Sequence, residues 1–193
     1  MLSQLRAAAT LLALFTLLLG LAYPLAMSAI AGVAFSDQAS GSLVSRGGIA
    51  VGSSLIGQSF TRAGYLQPRR SAAGDGYDAS ASSGTNLAPT SATLAERLRT
   101  DGKAMKAATG AALLPADAIT TSGSGLDPHV SPAFAELQVP RIAQARGLTP
   151  QEVRRVITQN TAGRTLGLLG EPRVLVFGVN LGLDALAPNA AAN

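Results

Sequence analysis

The chain contains one histidine, His129, two residues from Asp127 in the stretch 122–132, SGSGLDPHVSP. An imidazole beside a carboxylate can act as a general base held by an acid, with a nearby serine as nucleophile. The two-residue spacing on a constrained loop permits such a contact without requiring it, and no Gly-x-Ser-x-Gly elbow occurs in the chain. A second chemistry is anion binding. The backbone amides of Gly123 to Gly125 could cradle a phosphate, but the lysine and hydroxyl that end a P-loop are missing. The third reading is structural: Asp127 and His129 fix the loop and its neighbours through hydrogen bonds, the commonest role of a lone histidine–carboxylate pair. With no cysteine and one histidine, thiolate and histidine-rich metal sites are excluded. Fifteen basic residues against eleven acidic ones give a net charge of +4, but the charges are scattered and aromatics make up 4%. A nucleic-acid surface needs a basic stripe with stacking rings, so nucleic acid is not an expected partner.

The elements around this loop follow from local rules. Pro128 pushes Asp127 out of the helical region. Ser131 with Pro132 then reads as a helix N-cap and first position, and Gly147 as the stop, with Pro140 kinking or restarting the helix. Thr149-Pro150-Gln151-Glu152 is a capping box with proline at the first position, and Val153, Val156 and Ile157 give that helix its inner face. Residues 93–108 read as a solvated helix broken at Gly102. Residues 47–60 alternate small apolar groups with glycine and serine and read as one or two strands broken at Gly52, with Leu55, Ile56 and Phe60 in the core and Gln58 needing partners if buried. Arg69 and Arg70, beside Tyr65, form either an anion or acidic-partner site or a solvated turn. Asn86 shapes an ordered turn. Residues 174–181 are a near-continuous apolar run, expected as a strand buried on both faces or central in its sheet. Residues 188–193 are expected to be a disordered tail.

Between Arg6 and Asp37 there is no charged residue. Residues 11–35 would make about 37 Å of helix, enough to cross a hydrocarbon core of about 30 Å. The alternative, a cleaved signal with Ala29-Ile30-Ala31 at its end, fits less well because the apolar run exceeds a signal core. Arg6 on one side and Arg46 as the first basic residue on the other place the N-terminus inside and the rest of the chain outside. Gly20, Ala22, Ala26, Ser28, Ala29 and Gly32 would let another membrane helix approach closely. The organisation is therefore a membrane anchor over 1–35, an extracytoplasmic domain over 36–187 and the tail. The fold class is α+β: a single N-terminal transmembrane helix followed by one small domain of mixed sheet and helix.

Several stretches share one resemblance. GSSLIGQSF (52–60), YLQPRRSAAG (65–74), SSGTNLAPTS (82–91), the eleven residues 122–132 and LGLLGEPRVLVFGVN (166–180) resemble the C subunit of the Kdp-type potassium-transporting P-type ATPase. Arg70, Asn160 and Ala162 depart from the pattern, standing where the family has proline, histidine and glutamate. The resemblance implies a non-catalytic subunit of a high-affinity potassium pump in the bacterial cytoplasmic (inner) membrane. It would stabilise assembly and raise the ATP affinity of the hydrolysing subunit, with no cofactor of its own and ATP present in the complex. The implied partners are a channel-like potassium-conducting subunit, the ATP-hydrolysing P-type subunit, a small membrane subunit and the lipid bilayer. The residues expected to shape the domain or touch partners are Gln58, Arg69, Asn86, Ser122, Gly123, Gly125, Asp127, His129, Arg164, Glu171 and Arg173. A membrane-anchored envelope hydrolase using a serine with His129, and a freestanding extracytoplasmic binding module, are the competing expectations.

Overall fold

The computed structural model describes residues 2–187; the expected tail, 188–193, lies outside the described residues. The chain divides into two compact units, with the boundary between Ser53 and Ser54.

The N-terminal unit begins with 33 helical residues, Leu2–Ala34, whose most apolar 18-residue window has a mean hydropathy of 2.0 and is not buried. Helix α1 (Leu2–Leu17) passes through a π-helical turn, Leu18–Ala22, into α2 (Tyr23–Ala34). The π turn has a local cause. Pro24 has no amide to donate and its ring would strike the carbonyl four residues back. The widened turn just before it, in which the Tyr23 amide donates to the Leu18 carbonyl, takes up that misfit without ending the helix. A short helix α3 (Ser36–Ala39) leads to an antiparallel hairpin, β1 (Leu43–Arg46) with β2 (Ile49–Ser53). Gly47 and Gly48 both have positive φ, 59° and 80°, the requirement of a tight two-residue hairpin turn. This corrects the expected strand region. Gly47 and Gly48 are the turn, Gly52 lies inside the second strand, and residues 54–60 are irregular. Leu55, expected in the core, is 57% exposed, whereas Phe60 packs against the core as expected.

The C-terminal unit carries four longer helices and a small sheet. Helix α4 (Ala92–Thr109) is capped by Ser91, whose hydroxyl accepts from the Leu94 amide, and ends at Gly110 in the left-handed conformation. It runs through Gly102 without a break: one interior glycine costs about 1 kcal/mol, which the flanking helix formers and caps outweigh. Strand β3 (His129–Val130) precedes α5 (Pro132–Arg146), which has the expected cap at Ser131 and stop at Gly147. Pro140 neither ends nor restarts α5. Helix α6 (Pro150–Gln159) has the full capping box between Thr149 and Glu152. Strands β4 (Thr161–Ala162) and β5 (Arg173–Leu175) complete an antiparallel sheet in the order β3-β5-β4.

The expected strand over 174–181 is overturned beyond Leu175. Strand β5 is central, as expected of its first residues, but helix α7 (Val176–Leu186) starts at once. Its buried residues are Val176, Phe177, Val179, Asn180 and Leu183, the i, i+3, i+4, i+7 spacing of a helix face rather than alternation. Gly178 and Gly182 lie on the side facing α6. A Cβ at Gly178 would overlap the Asn160 side-chain oxygen, and one at Gly182 would lie 2.7 Å from Val156 Cγ1. Close helix approach therefore depends on both glycines. The core joins Leu66 and Val130 to Phe134, Val139 and Ile142 of α5, Val153 and Val156 of α6, Val174 of β5, and Val179 and Leu183 of α7.

Candidate functional site

Three irregular segments meet the 122–132 loop and organise the polar centre. The Gly57 amide donates to the Leu126 carbonyl at 2.7 Å, and the Ser83 amide to the Ser124 carbonyl at 3.0 Å. The Ser82 hydroxyl donates to that same Ser124 carbonyl at 2.9 Å. Gly125 has φ +69°, and a Cβ there would lie 2.6 Å from the Ala73 amide nitrogen and 2.7 Å from the Ser83 carbonyl oxygen. A Cβ on Gly57 would meet the Asp127 carbonyl oxygen at 2.6 Å, and one on Gly84 the Gly123 carbonyl oxygen at 2.9 Å. Of the two glycines expected to open a phosphate cradle, Gly125 instead lets backbones cross and protein fills its face, while a Cβ on Gly123 would meet nothing within 4 Å.

Asp127 is the hub of this crossing. Its Oδ2 takes the Arg69 guanidinium at 3.1 Å, and its Oδ1 accepts the His129 amide at 3.0 Å. The same guanidinium reaches the Thr121 carbonyl at 3.1 Å and the Thr120 hydroxyl at 3.3 Å. Arg69 is thus pinned to protein acceptors rather than part of a fully solvated turn, while its side chain still lines an open cleft. Arg70 pairs with Asp101 of α4 at 3.0 Å. The imidazole Nδ1 lies 3.7 Å from Asp127 Oδ1, and among the described residues His129 makes no hydrogen bond to a serine hydroxyl. Ser131 is committed elsewhere: its hydroxyl donates to Asp117 Oδ1 at 2.9 Å and accepts the Phe134 amide. Partial burial pulls the His129 pKa below its ordinary value, against the opposing attraction of Asp127, with Arg173 adding to the lowering.

Arg69, Asp117, Asp127, His129, Glu171 and Arg173 line one open cleft of about 600 Å³. The structure therefore brings five of the expected residues, Arg69, Asp127, His129, Glu171 and Arg173, to one place. Arg164 stands beside it, donating from one guanidinium nitrogen to both Glu171 carboxylate oxygens at 2.7 Å. Ser122 is buried and Gly123 exposed on the far side of the loop, along a second shallow depression. Asn86 lies apart and exposed, with φ +52°. Gln58 is half-buried, and its side-chain oxygen has no hydrogen-bond partner among the described residues.

Sequence reasoning missed a second polar set. Asn180, 2% exposed, accepts the Leu66 amide at 2.7 Å and donates to the Leu66 carbonyl at 3.0 Å. Gln138, 4% exposed, does the same to Gln67, at 2.8 and 3.0 Å. Two buried amides thus replace a partner strand for residues 66–67. Arg141 donates to the carbonyls of Ala63 and Tyr65. Arg146 reaches the Gly64 and Ala187 carbonyls and pairs with Asp184 at 2.8 Å. Its guanidinium lies 4.8 Å from the centre of the Tyr65 ring, and the Tyr65 hydroxyl donates to Asp184. The available signal was Asn180, a polar residue in the apolar run 174–181, which demands a partner wherever that run is buried.

Fold and centre together define a class of protein: an α+β domain joined to one apolar helix of membrane-spanning length, with its most polar loop tied back into the domain. Within that class the comparisons are specific. The family described as "K+-transporting ATPase, c chain" matches residues 5–185. The Potassium-transporting ATPase KdpC subunit of Caulobacter sp. (strain K31) is 54% identical, over 97% of this chain and 96% of its own length. Those of Beijerinckia indica subsp. indica and Methylorubrum extorquens are each 52% identical, over 97% of this chain and 96% and 99% of their own lengths. The chain belongs to this family.

Proposed function

We propose that this chain is the non-catalytic accessory subunit of an ATP-driven potassium-uptake complex of the bacterial cytoplasmic membrane. It stabilises the assembly of the channel-like, ATP-hydrolysing and small membrane subunits and raises the ATP affinity of the hydrolysing one. Residues 1–35 anchor it with the N-terminus inside, and the chain from 36 to 187 lies outside, with α3 and the hairpin in the N-terminal unit and the rest in the C-terminal one. The observation that carries the reading is the use of Asp127. Both of its oxygens hold backbone or Arg69 in place, so the residue that would orient a catalytic histidine serves as a structural pin. Near full-length membership of the potassium ATPase family supplies the context. An outside domain is separated from cytoplasmic nucleotide by a hydrocarbon core of about 30 Å. Its influence on ATP affinity is then a coupling between conformations of the partner rather than a contact.

The test has two arms. The first compares the ATP concentration dependence of hydrolysis by the complex with wild-type chain, with His129→Ala, and without the chain. Loss of the chain should raise the KM for ATP, while His129→Ala should leave turnover within about threefold of wild type. Abolished turnover in an intact complex containing His129→Ala would overturn the non-catalytic assignment. The second arm uses the absence of cysteine. A cysteine at the exposed Gln151 should react with a membrane-impermeant thiol reagent in intact spheroplasts. Reaction only after lysis would place the domain inside.

A further inference from the structure

A cavity of about 280 Å³ opens between α4 and α5 and shares no lining residue with the polar cleft described above. Its apolar wall is Met105 and Ala108 of α4 with Phe134 and Leu137 of α5. The space has a cause in the sequence. Ala104 and Ala108 stand four apart on one face of α4, and no residue of that helix is fully buried. Two short side chains thus line the gap where a close-packed helix pair would place larger ones. An apolar cavity of about 150 Å³ takes up benzene. The volume here has room for a ring or short chain with one polar head, and lies just below the range of about 300–1,000 Å³ that suits larger ligands.

The polar side of the cavity is Arg70, Gln138 and Arg141. Arg70 is paired with Asp101. Arg141 is held by neutral groups alone: its guanidinium donates to the Ala63 and Tyr65 carbonyls and to Gln138 Oε1. No carboxylate pairs with it among the described residues. Partial burial pulls its pKa below the ordinary value. The bond to Gln138, itself a lining residue, sets this charge at the cavity wall. A half-buried cation of this kind is stabilised most by an anion that it can pair with at short range.

We infer that this cavity binds a small amphipathic monocarboxylate, its short apolar group between Met105, Ala108, Phe134 and Leu137 and its carboxylate on Arg141. A guanidinium matches a carboxylate with paired donors in one plane. A phosphate dianion fits less well, because its desolvation against apolar walls costs more. A two-chain lipid is too large for the volume.

The test uses the full chain in lipid nanodiscs, with its methionine methyl groups labelled with carbon-13. Met105 is the one methionine of the C-terminal unit, so its methyl resonance reports on the cavity. Hexanoate should move it saturably, with a Kd of about 1 mM or tighter. Hexan-1-ol should bind at least about tenfold more weakly at equal free concentration, and hexylammonium more weakly still, since the first lacks the paired charge and the second reverses it. Ala108→Phe, at an exposed position on the cavity wall, should leave the thermal melt unchanged and abolish the hexanoate response. Arg141→Gln should bring the preference for hexanoate over hexan-1-ol below about threefold, a ratio that general loosening of the fold does not mimic. If Arg141→Gln does not fold, the ligand series and Ala108→Phe still decide. Equal responses to acid and alcohol in the wild-type chain, a hexanoate response that survives Ala108→Phe, a preference retained by Arg141→Gln, or no Met105 shift up to about 10 mM hexanoate overturns the inference.

Discussion

Two irregular segments of the C-terminal unit are ordered by opposite means. Residues 63–69 have no partner strand over Leu66 and Gln67, yet all but Ala63 are buried or half-buried, because Gln138, Arg141, Arg146 and Asn180 reach across from α5 and α7 to their amides and carbonyls. Residues 164–171 lie wholly at the surface and are ordered by their own turn and ion pair. The first is stabilised by groups more than 70 positions away in sequence. The second is stabilised by neighbours within seven. Order in a loop therefore says nothing of where its stability resides. Remote substitutions should damage the first segment, and none should damage the second.

The largest effect is expected where the buried set leaves no room. Gly125→Val places a branched side chain at φ +69° against the Ala73 and Ser83 backbones, and should cost about 4 kcal/mol or more, enough to prevent folding. Expression and thermal melts check this. A Gly125→Val chain that melts like wild type would mean that the crossing of loops is not obligatory. Next comes Asn180→Leu. It keeps the volume of the α7 face but strands the amide and carbonyl of Leu66, and should lower stability by about 2–4 kcal/mol in denaturant titration. Equal stability would show that residues 63–69 are held by packing alone.

The surface segment should respond weakly. Leu166→Gly releases a left-handed leucine at the expense of added chain entropy, with an expected net gain of about 0.5 kcal/mol. Arg164→Gln should change stability by less than about 0.5 kcal/mol, because the pair is exposed. A large loss from either change would erase the contrast between the two segments.

The smallest effect concerns pH. Burial lowers the His129 pKa below its ordinary value of 6.5, so the unfolded chain binds the extra proton more readily than the fold does. The contribution of neutral His129 is fully present above about pH 6.5 and fades as pH falls through and below that value. His129→Gln should flatten that part of the stability–pH curve. Stability that rises on acidification through the same range would mean that the attraction of Asp127 outweighs desolvation.

The sequence alone determined whatever depends on neighbours along the chain. The caps at Ser131 and Thr149, the stop at Gly147 and the apolar helix before Asp37 follow from amide bookkeeping and uninterrupted apolar surface, and all are present. The quoted motifs pointed to the family because loops that must cross at glycine leave little freedom in residue type. Only the tertiary structure decided the period of residues 174–181, since a short apolar run satisfies strand and helix alike until its neighbours choose which faces are buried. It likewise decided that Arg69 pairs with Asp127, and that Asn180 and Gln138 stand in for a missing strand. Those partners lie 58, 114 and 71 positions apart, and local spacing carries no record of a contact that only chain folding brings within 3.1 Å.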